Sequence, residues 1–427
     1  MIILEFKAKG QESQYSAIDE AIRTVKFIRN SCIRLWLDNK GTGKSDLSRY
    51  SKILAKEFPF ANELNSTARQ AASERAWSSI VRFYDNCQKK VPGKKGFPRF
   101  QKLARSVEYK KSGWKLSPDK KSITFTDKKG IGKLKLKGTW DLWRFDKKQI
   151  NRVRIVKRAD GYYVQFCVAV NVKEEVEHTG EMVGLDVGIK EFYTDSNGHS
   201  EPNPRFYRKG EKRLKFYQRR VSRKKKGSSN RKKAVNRLSR QHLKISRQRQ
   251  EHAKRLARCV IRSRSVGFAE SNDLVAYVRA ACRRQDLRVK NLVKNHCLAK
   301  SINDAGWYQF RKWLEHFGTK FDRITVAVNP AYTSQNCSEC GEVVKKSLST
   351  RTHVCECGCE LDRDHNAAIN IRNRAISTTG HVGTWIINPN ASGDLASTVL
   401  DSGQVQQVES MNEESPRLMT GECQPIS

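Results

Sequence analysis

Length, composition and charge exclude several classes of protein at once. The chain has 427 residues, with 83 Lys and Arg against 44 Asp and Glu, a formal charge of +39 and 37% hydrophobic residues. A chain of this length can bury several cores, so its charge does not make it a disordered tail. Its apolar runs are far shorter than the roughly 20 residues that span a membrane, and no signal-peptide core follows Met1. We therefore expect an intracellular protein without a membrane partner, whose positive charge is matched by nucleic acid phosphate.

The first part of the chain, residues 1–181, combines predicted helices with a series of short strands. Ile2–Phe6 predicts an opening strand, and apolar residues at helical spacing predict helices from Ile18 to Ile33 and from Ala68 to Phe83. From Tyr109 to Val172, alternating segments are separated by Gly and Asp turns. This pattern predicts a small, partly closed β-barrel with a helical insertion.

The loop Val91–Phe100 combines chain breakers, cations and aromatic residues. Such a mixture is typical of a surface that touches nucleic acid, and it is equally typical of an ordinary basic turn. The sequence leaves both interpretations open.

Residues 205–262 carry 24 Lys or Arg against two acidic residues, Glu211 and Glu251. Apolar residues on both sides of the break from Lys224 to Lys233 predict two long helices. A run of charge is usually a solvated face, but this density favours contact with phosphate groups. The predicted nucleic-acid-binding residues are Arg219, Arg220, Arg223, Lys224, Lys225, Lys226, Arg231, Lys232 and Lys233.

Five of the twelve cysteines lie between Cys337 and Cys359, which indicates a metal site in a reducing compartment rather than a disulfide scaffold. Two pairs of cysteines, each followed by glycine, have the spacing of a zinc ribbon, in which four thiolates surround a structural Zn²⁺. The second pair is followed by a third cysteine, so either Cys357 or Cys359 could complete the set, and we favour Cys357. The predicted ligands are Cys337, Cys340, Cys355 and Cys357.

Two aspartates stand in apolar surroundings. Asp186 interrupts the predicted strand Met182–Ile189, and Asp364 falls in the first turn of a predicted helix, on the face of Ala368 and Ile371. A buried carboxylate is costly without a cation. In a basic protein the pair predicts a phosphodiester hydrolase with two Mg²⁺ about 4 Å apart. The alternative is two structural aspartates with local hydrogen bonds.

Several motifs, in the same order along the chain, resemble the transposon-encoded TnpB (OrfB) family. They are Lys94-Lys-Gly-Phe-Pro-Arg-Phe100, Gly184-Leu-Asp-Val-Gly188, Leu298-Ala-Lys-Ser-Ile-Asn-Asp-Ala-Gly-Trp307, Ala331-Tyr-Thr-Ser-Gln-Asn-Cys-Ser-Glu-Cys-Gly341 and Asp362-Arg-Asp-His-Asn-Ala-Ala368. The resemblance extends from about residue 90 to the tail. Members of this family are compact RNA-guided DNA endonucleases related to type V CRISPR effectors. Asp186 and Asp364 match the first and last metal ligands of such nucleases.

The resemblance implies an α/β multidomain protein. A β-barrel with a helical recognition insertion, residues 1–181, would precede an RNase H-like (RuvC) nuclease domain, residues 182–376. That domain would include the basic helices, residues 205–262, and the zinc ribbon, residues 333–361. Residues 377–427, with six acidic residues against Arg417, would form a disordered tail.

The sequence departs from the family pattern at the middle catalytic acid. Similar proteins have a strand that ends in Glu-Asp-Leu, but here Gln285 precedes Asp286, and Asp273–Tyr277 resembles the strand itself. A neutral amide cannot replace a carboxylate beside Mg²⁺. Two residues could supply the missing acid, and we favour Glu270, at the end of a short apolar run, over Asp286.

Three functions follow from these observations. The first is an RNA-guided, Mg²⁺-dependent DNA endonuclease that uses Asp186, Glu270 and Asp364, cuts beside a short transposon-adjacent motif and helps its transposon persist. The second is a guided DNA-binding protein that cuts weakly or not at all, and the third is a DNA-binding accessory of transposition. The expected partners are a guide RNA from the transposon end and double-stranded target DNA, bound by a monomer in the prokaryotic cytoplasm, at the nucleoid.

Overall fold

A computed structural model of the chain describes residues 2–91, 93–138, 140–170, 173–174, 176, 182–262, 274–278, 296–329, 331–347 and 349–380. These residues form two compact units, one that ends at Val170 and one that begins at Lys173. Among the helices in these ranges, none is both long enough and apolar enough to cross a membrane.

The first unit is built on a seven-stranded antiparallel sheet. Its strands are β1 (Ile2–Lys9), β2 (Ser106–Lys110), β3 (Trp114–Leu116), β4 (Ser122–Phe125), β5 (Lys133–Lys137), β6 (Ile150–Arg158) and β7 (Gly161–Val168). They are hydrogen-bonded in the order β2-β6-β7-β1-β5-β4-β3. The longest pairing joins β6 to β7, from Ile150 opposite Val168 to Arg158 opposite Gly161. The strands expected from the alternating pattern are therefore confirmed.

Helices complete the core of this unit. They are α1 (Glu12–Asp38), α2 (Lys44–Glu57), α3 (Pro59–Asn62) and α4 (Ser66–Gln88). One continuous apolar core joins Leu4 and Phe6 of the sheet to Ile18 and Ile28 of α1 and Ile80 of α4. The two long helices expected from the periodicity are confirmed, and α1 and α4 extend beyond the predicted bounds because polar residues add turns on their exposed faces.

The second unit contains a five-stranded mixed sheet. Its strands are β8 (Met182–Asp186), β9 (Glu191–Asp195), β10 (Ser200–Pro202), β11 (Leu274–Val278) and β12 (Ile324–Val328). The order is β10-β9-β8-β11-β12, with β8, β11 and β12 parallel and the other two strands antiparallel to their neighbours. The strand β8 ends at Asp186 rather than at Ile189, so this aspartate lies at a strand end.

Helices and a small hairpin surround this sheet. They are α5 (Phe206–Ser222), α6 (Ser229–Arg262), α7 (His296–Ala305), α8 (Trp307–Lys320), the hairpin strands β13 (Thr352–Val354) and β14 (Glu360–Asp362), and α9 (Arg363–Gly380). The two predicted basic helices are α5 and α6, which pack against each other, and α9 packs on the sheet. Because α9 continues to Gly380, its last turn enters the segment expected to be the tail; the rest of that segment lies outside the described residues.

Candidate functional sites

The strand β8 and the helix α9 approach each other closely at Gly184. A Cβ atom on this residue would lie 2.7 Å from the amide nitrogen of Arg372 and closer still to the carbonyl oxygen of Ala368. Only glycine therefore permits this contact between strand and helix. It brings the carboxyl end of β8, which carries Asp186, next to the first turn of α9, which carries Asp364.

Asp364 is held at both carboxylate oxygens by arginines. Arg363 donates to Oδ1 from Nε at 3.2 Å and from Nη2 at 3.1 Å, and Nη1 of Arg351 lies 3.6 Å from Oδ2. Asp362 caps the helix, since its Oδ1 accepts the backbone N–H of Asp364 at 2.8 Å. These contacts fix the Asp364 carboxylate, while Asp362 serves as the cap of the helix.

The two aspartates influence each other electrostatically. Burial raises the pKa of Asp186, the Asp364 carboxylate raises it further, and the pKa is about 7 even though Arg363 acts in the opposite direction. A buried carboxyl group whose pKa is raised beside a second carboxylate is typical of a site that binds cations. A divalent metal ion would favour the charged form of Asp186.

The predicted third acid, Glu270, lies outside the described residues, as do Gln285 and Asp286. The strand β11, between β8 and β12, has the sequence Leu-Val-Ala-Tyr-Val and contains no carboxylate. It runs parallel to β8 with Tyr277 opposite Leu185, so its carboxyl end is the end beside Asp186.

The structure brings together the four predicted zinc ligands, Cys337, Cys340, Cys355 and Cys357. Their sulfur atoms lie within 4.8 Å of one another, with 3.6 Å between Cys337 and Cys357 and 3.5 Å between Cys340 and Cys355. A tetrahedron with metal–sulfur bonds of about 2.3 Å has edges of about 3.8 Å. The four thiols therefore fit a structural Zn²⁺, as the spacing predicted.

Glycine supports both turns of this site. Gly341 and Gly358 have φ angles of +82° and +91°, in the region that side chains disfavour. Cys359 is separate from the four-cysteine set: it is buried and, with His353, lies within 4.8 Å of Cys337. Two overlapping groups could therefore hold a metal, the four predicted ligands and a second group of Cys337, His353 and Cys359, and Cys357 stays the predicted fourth ligand.

Two asparagines of α9 attach the ribbon to this helix, which packs on the five-stranded sheet. The Oδ1 atom of Asn366 accepts the backbone N–H of Ser338 at 2.9 Å, and its amide donates to the carbonyl of Asn336 at 2.8 Å. Asn370 donates to the carbonyls of Thr333 and Asn336 at 2.9 and 2.7 Å. Both asparagines are buried, so the position of α9 depends on the folded ribbon. Sequence reasoning missed this role because an Asn on a helix gives no signal of a distant partner.

The predicted basic residues lie at the turn between α5 and α6. Arg231 is partly buried and donates to the carbonyls of Val221 and Lys224 at 2.9 and 3.0 Å, which closes the end of α5. The rest of the predicted set is exposed and can meet a phosphate backbone: Arg219, Arg220, Arg223, Lys224, Lys225, Lys226, Lys232 and Lys233.

A second basic surface lies in the first unit, and sequence reasoning missed most of it. A cleft of about 1330 Å³ lies between α4, β2, β6 and the loop after α4. Among its described lining residues the carboxylates are Glu74 and Glu108, against a large excess of cations that includes Arg75, Arg152 and Arg154. The loop Val91–Phe100 contributes Lys94 to Arg99, so it borders a basic cleft rather than forming an isolated turn.

Glu108 forms the centre of an ion-pair cluster in this cleft. It is 3% exposed, and its carboxylate accepts from Arg152 Nη1 at 3.0 Å, Arg154 Nε at 2.5 Å and Arg75 Nη2 at 3.3 Å. Glu108 and Arg154 are directly opposite on β2 and β6. Burial alone would raise the pKa of Glu108, but the three guanidinium groups outweigh it and hold the pKa at about 2.

The depressed pKa of Glu108 predicts a pH dependence of stability. Its folded pKa is about 2 and its ordinary value is 4.5, so the ion pairs stabilise the folded state above pH 4.5 and are lost as the pH falls toward 2. The expected contribution is on the order of 3 kcal/mol. Denaturant unfolding of the wild type and Glu108→Gln should show a difference in unfolding free energy that shrinks between pH 4.5 and 2. A difference that stays constant over this range would contradict the assignment.

Two family models match the chain. The model OrfB_IS605, described as "Probable transposase", matches residues 165–265, and the model "Cas12f1-like, TNB domain" matches residues 307–371. The first range contains β8 with Asp186 and the basic helices α5 and α6. The second contains the cysteine ribbon and the start of α9 with Asp364.

Two curated proteins are similar in sequence. A "Putative RNA-guided DNA endonuclease" from Streptomyces pristinaespiralis is 37% identical over 195 residues, which is 45% of each chain. The "Putative RNA-guided DNA endonuclease InsQ" of Escherichia coli K12 is 27% identical over 304 residues, 70% of this chain and 72% of that protein. The chain thus spans less than half of the Streptomyces relative.

Two solved structures have a similar fold. The Cas12f1 protein in a Cas12f1–sgRNA–target DNA complex has a TM-score of 0.52 at 13% identity, covering 86% of this chain and 84% of that one. The mini-RNA-guided endonuclease CRISPR-Cas_phi3 has a TM-score of 0.53 at 10% identity, covering 88% and 92%. The motifs, the two family models and the curated relatives agree, and the chain is similar to the TnpB (OrfB) family of transposon-encoded proteins.

Proposed function

We propose that this protein is an RNA-guided, Mg²⁺-dependent DNA endonuclease of an insertion sequence, which cuts DNA beside a short transposon-adjacent motif and helps the transposon persist. The observation that carries this proposal is the approach of Asp364 on α9 to Asp186 at the end of β8. The names of the two curated relatives support it. The order of the five strands is the one we expect of an RNase H-like (RuvC) nuclease domain.

The carboxylates of Asp186 and Asp364 would hold the metal. When bound, Mg²⁺ supplies Lewis-acid activation of the scissile phosphate and a more acidic water. Arg363 and Arg351 hold Asp364 in one orientation through both of its oxygens. Gly184 keeps α9 close enough to β8 for the two carboxylates to act on one phosphate.

The basic surfaces would bind the nucleic acids. In a guided enzyme, base pairing between RNA and DNA reads the sequence, and the protein mainly binds backbone phosphates. The exposed cations of the α5–α6 turn and the arginine-lined cleft of the first unit suit this task. We propose one guide RNA and one double-stranded DNA target for each monomer, and a structural Zn²⁺ in the four-cysteine ribbon.

Asp286 and Glu270 are the two candidates for the third acid of this site. Asp286 is the first carboxylate in the sequence after the carboxyl end of β11, the end beside Asp186, whereas Glu270 precedes the strand. The direction of β11 therefore favours Asp286 over Glu270. If neither residue serves, a nuclease-weak, guided DNA-binding protein is the second candidate, and it is favoured by Gln285 and by the lack of a carboxylate in β11.

A plasmid-library assay tests the function and the third acid together. The protein is co-expressed with its transposon end, and cleavage with Mg²⁺ is compared among wild type, Asp286→Asn and Glu270→Gln. We expect the wild type to cut beside a common motif and Asp286→Asn to lose on the order of 10³-fold in rate, with Glu270→Gln as the matched control. Loss of cleavage in Glu270→Gln alone would assign the third acid to Glu270 instead of Asp286. Guide-dependent binding without cutting in all three would support the second candidate, and binding that needs no RNA would contradict both.

A further inference from the structure

Residues 187–190 form the turn between β8 and β9, directly after Asp186. The two strands pair antiparallel, with Asp186 opposite Thr194, so the turn closes immediately beyond the carboxylate. The backbone N–H of Val187, the first residue of the turn, donates to the Asp186 carboxylate. The conformation of the turn therefore influences the orientation of the carboxylate that would hold the metal.

Two side chains hold consecutive carbonyl groups of this turn. The indole Nε1 of Trp307 donates to the carbonyl of Gly188 at 3.3 Å, and the amide Nδ2 of Asn203 donates to the carbonyl of Ile189 at 2.9 Å. Gly188 and Ile189 are both partly exposed, so water could satisfy the same carbonyls. The fold does not require side-chain donors at this position, and their presence is better explained by a need to fix the turn.

The two donors come from elements that are themselves connected. Asn203 lies just before α5, and Trp307 is the first residue of α8, separated from α7 by one residue. The carboxylate of Asp304 on α7 is 6% exposed and accepts the backbone N–H of Tyr207, in the first turn of α5, at 2.8 and 2.9 Å. This contact caps α5 with a side chain of another helix and fixes the start of α5 to the end of α7. Asn203 and Trp307 therefore approach the turn from one connected framework.

We propose that Trp307 and Asn203 are positioning residues of the metal site, which fix the turn after Asp186 so that its carboxylate meets the metal in one orientation. Both act through the backbone of the turn rather than by contact with the metal. The inference rests on the proposed function and deepens it, because it concerns the same carboxylate. Asp304 and Trp307 belong to the motif at residues 298–307, which the proposed function left without a role.

The decisive variants each remove one donor. Trp307→Phe retains an aromatic ring and loses the N–H group. Asn203→Ser retains an oxygen that can accept the backbone N–H of Arg205, as Asn203 Oδ1 does at 3.2 Å, but its side chain is too short to donate to Ile189. The matched control is Trp313→Phe, the same substitution on the same helix α8, at a tryptophan that is 1% exposed.

Metal binding is measured directly, by electron paramagnetic resonance of Mn²⁺ added to the purified protein. Asp186→Asn defines the part of this binding that belongs to the site. We expect Trp307→Phe and Asn203→Ser each to weaken it by about tenfold, because residues that orient a metal ligand have effects of this size. The Mg²⁺ concentration for half-maximal cleavage should rise similarly, saturating Mg²⁺ should restore most of the rate, and binding of an RNA transcribed from the transposon end should not change.

The control separates orientation of the carboxylate from stability of the fold. Trp313→Phe should lower the melting temperature, because it removes buried apolar surface, and should bind Mn²⁺ like the wild type. Wild-type Mn²⁺ affinity in either folded donor variant would overturn the proposal, and so would an equal loss of affinity in Trp313→Phe. Asn203→Ser provides the test if Trp307→Phe fails to fold.

The same measurements distinguish this proposal from the proposed function. If the wild type shows Mn²⁺ binding that depends on Asp186 and cuts DNA, while the donor variants bind Mn²⁺ unchanged, the positioning role is wrong and the nuclease stands. If the wild type binds Mn²⁺ at Asp186 without cutting and the donor variants bind it more weakly, the positioning role is correct and the nuclease is not. Mn²⁺ binding that does not depend on Asp186 would contradict both.

Discussion

Replacing Asp186 with Asn is expected to lower the rate of DNA cleavage by on the order of 10³-fold or more, without a loss of nucleic acid binding. The carboxylate lies at the end of β8 beside Asp364, and an amide cannot neutralise the metal that the pair would hold. The basic turn and the arginine-lined cleft remain intact in the variant. Cleavage and filter-binding assays on the same preparation measure the two effects separately.

The same substitution should stabilise the metal-free protein. The folded pKa of Asp186 is about 7 against an ordinary 3.8, so the folded state loses stability as the pH rises through this range and the carboxyl ionises. Asn carries no such cost, and we expect the melting temperature at pH 8 in a chelator to rise by about 2 °C. Asp322→Asn, at an exposed ion pair with Lys173, is the matched control. It should change neither the rate of DNA cleavage nor the melting temperature. Cleavage that survives Asp186→Asn would contradict the proposed active site.

Replacing Cys337 with Ser is expected to release zinc and reduce DNA cleavage by tenfold or more. A ribbon of this size has little apolar core, and its folding energy comes largely from the metal. Asn366 and Asn370 of α9 bind backbone groups of the ribbon, so unfolding of the ribbon would displace the helix that carries Asp364. Zinc content measured by mass spectrometry and a cleavage assay report the two steps.

The control is Cys359→Ser, at a buried cysteine outside the four-cysteine set. We expect this variant to retain one zinc ion per chain and to keep its cleavage activity. If instead Cys359→Ser loses the metal and Cys357→Ser retains it, the fourth ligand is Cys359. Full activity in a zinc-free Cys337→Ser protein would contradict the link between the ribbon and α9.

Local patterns in the sequence predicted much of this fold. The periodicity of α1, the alternation in the first sheet and the cysteine spacing each depend on residues close together in the chain. The helix α2 was missed because it is mostly polar and buries only a short stripe around Leu47 and Leu54. A weak stripe of this kind becomes visible only when the core that it covers is known.

The candidate sites show more clearly that contacts between distant elements cannot be predicted from local patterns. Asp186 and Asp364 were found because each is a carboxylate in apolar surroundings, but their proximity depends on the packing of α9 on β8 at Gly184. The Glu108 cluster gave no signal, because Arg75, Glu108 and the arginines of β6 come from three separate elements. Only the alternation of arginines along β6 hinted at a basic face, and that alternation is also common in solvated strands.

The order of the elements along the chain has a consequence for synthesis. Asp186 lies on the first strand of the five-stranded sheet, whereas Asp364 lies on the last described helix, after the ribbon. Because a ribosome makes the chain from its amino terminus and units fold as they emerge, residues 2–170 of the first unit, which form the basic cleft, are made long before the two aspartates can meet. A nascent or prematurely terminated chain can therefore fold the first unit without bringing Asp186 and Asp364 together, so the cleavage proposed for this pair would begin only after α9 has been made.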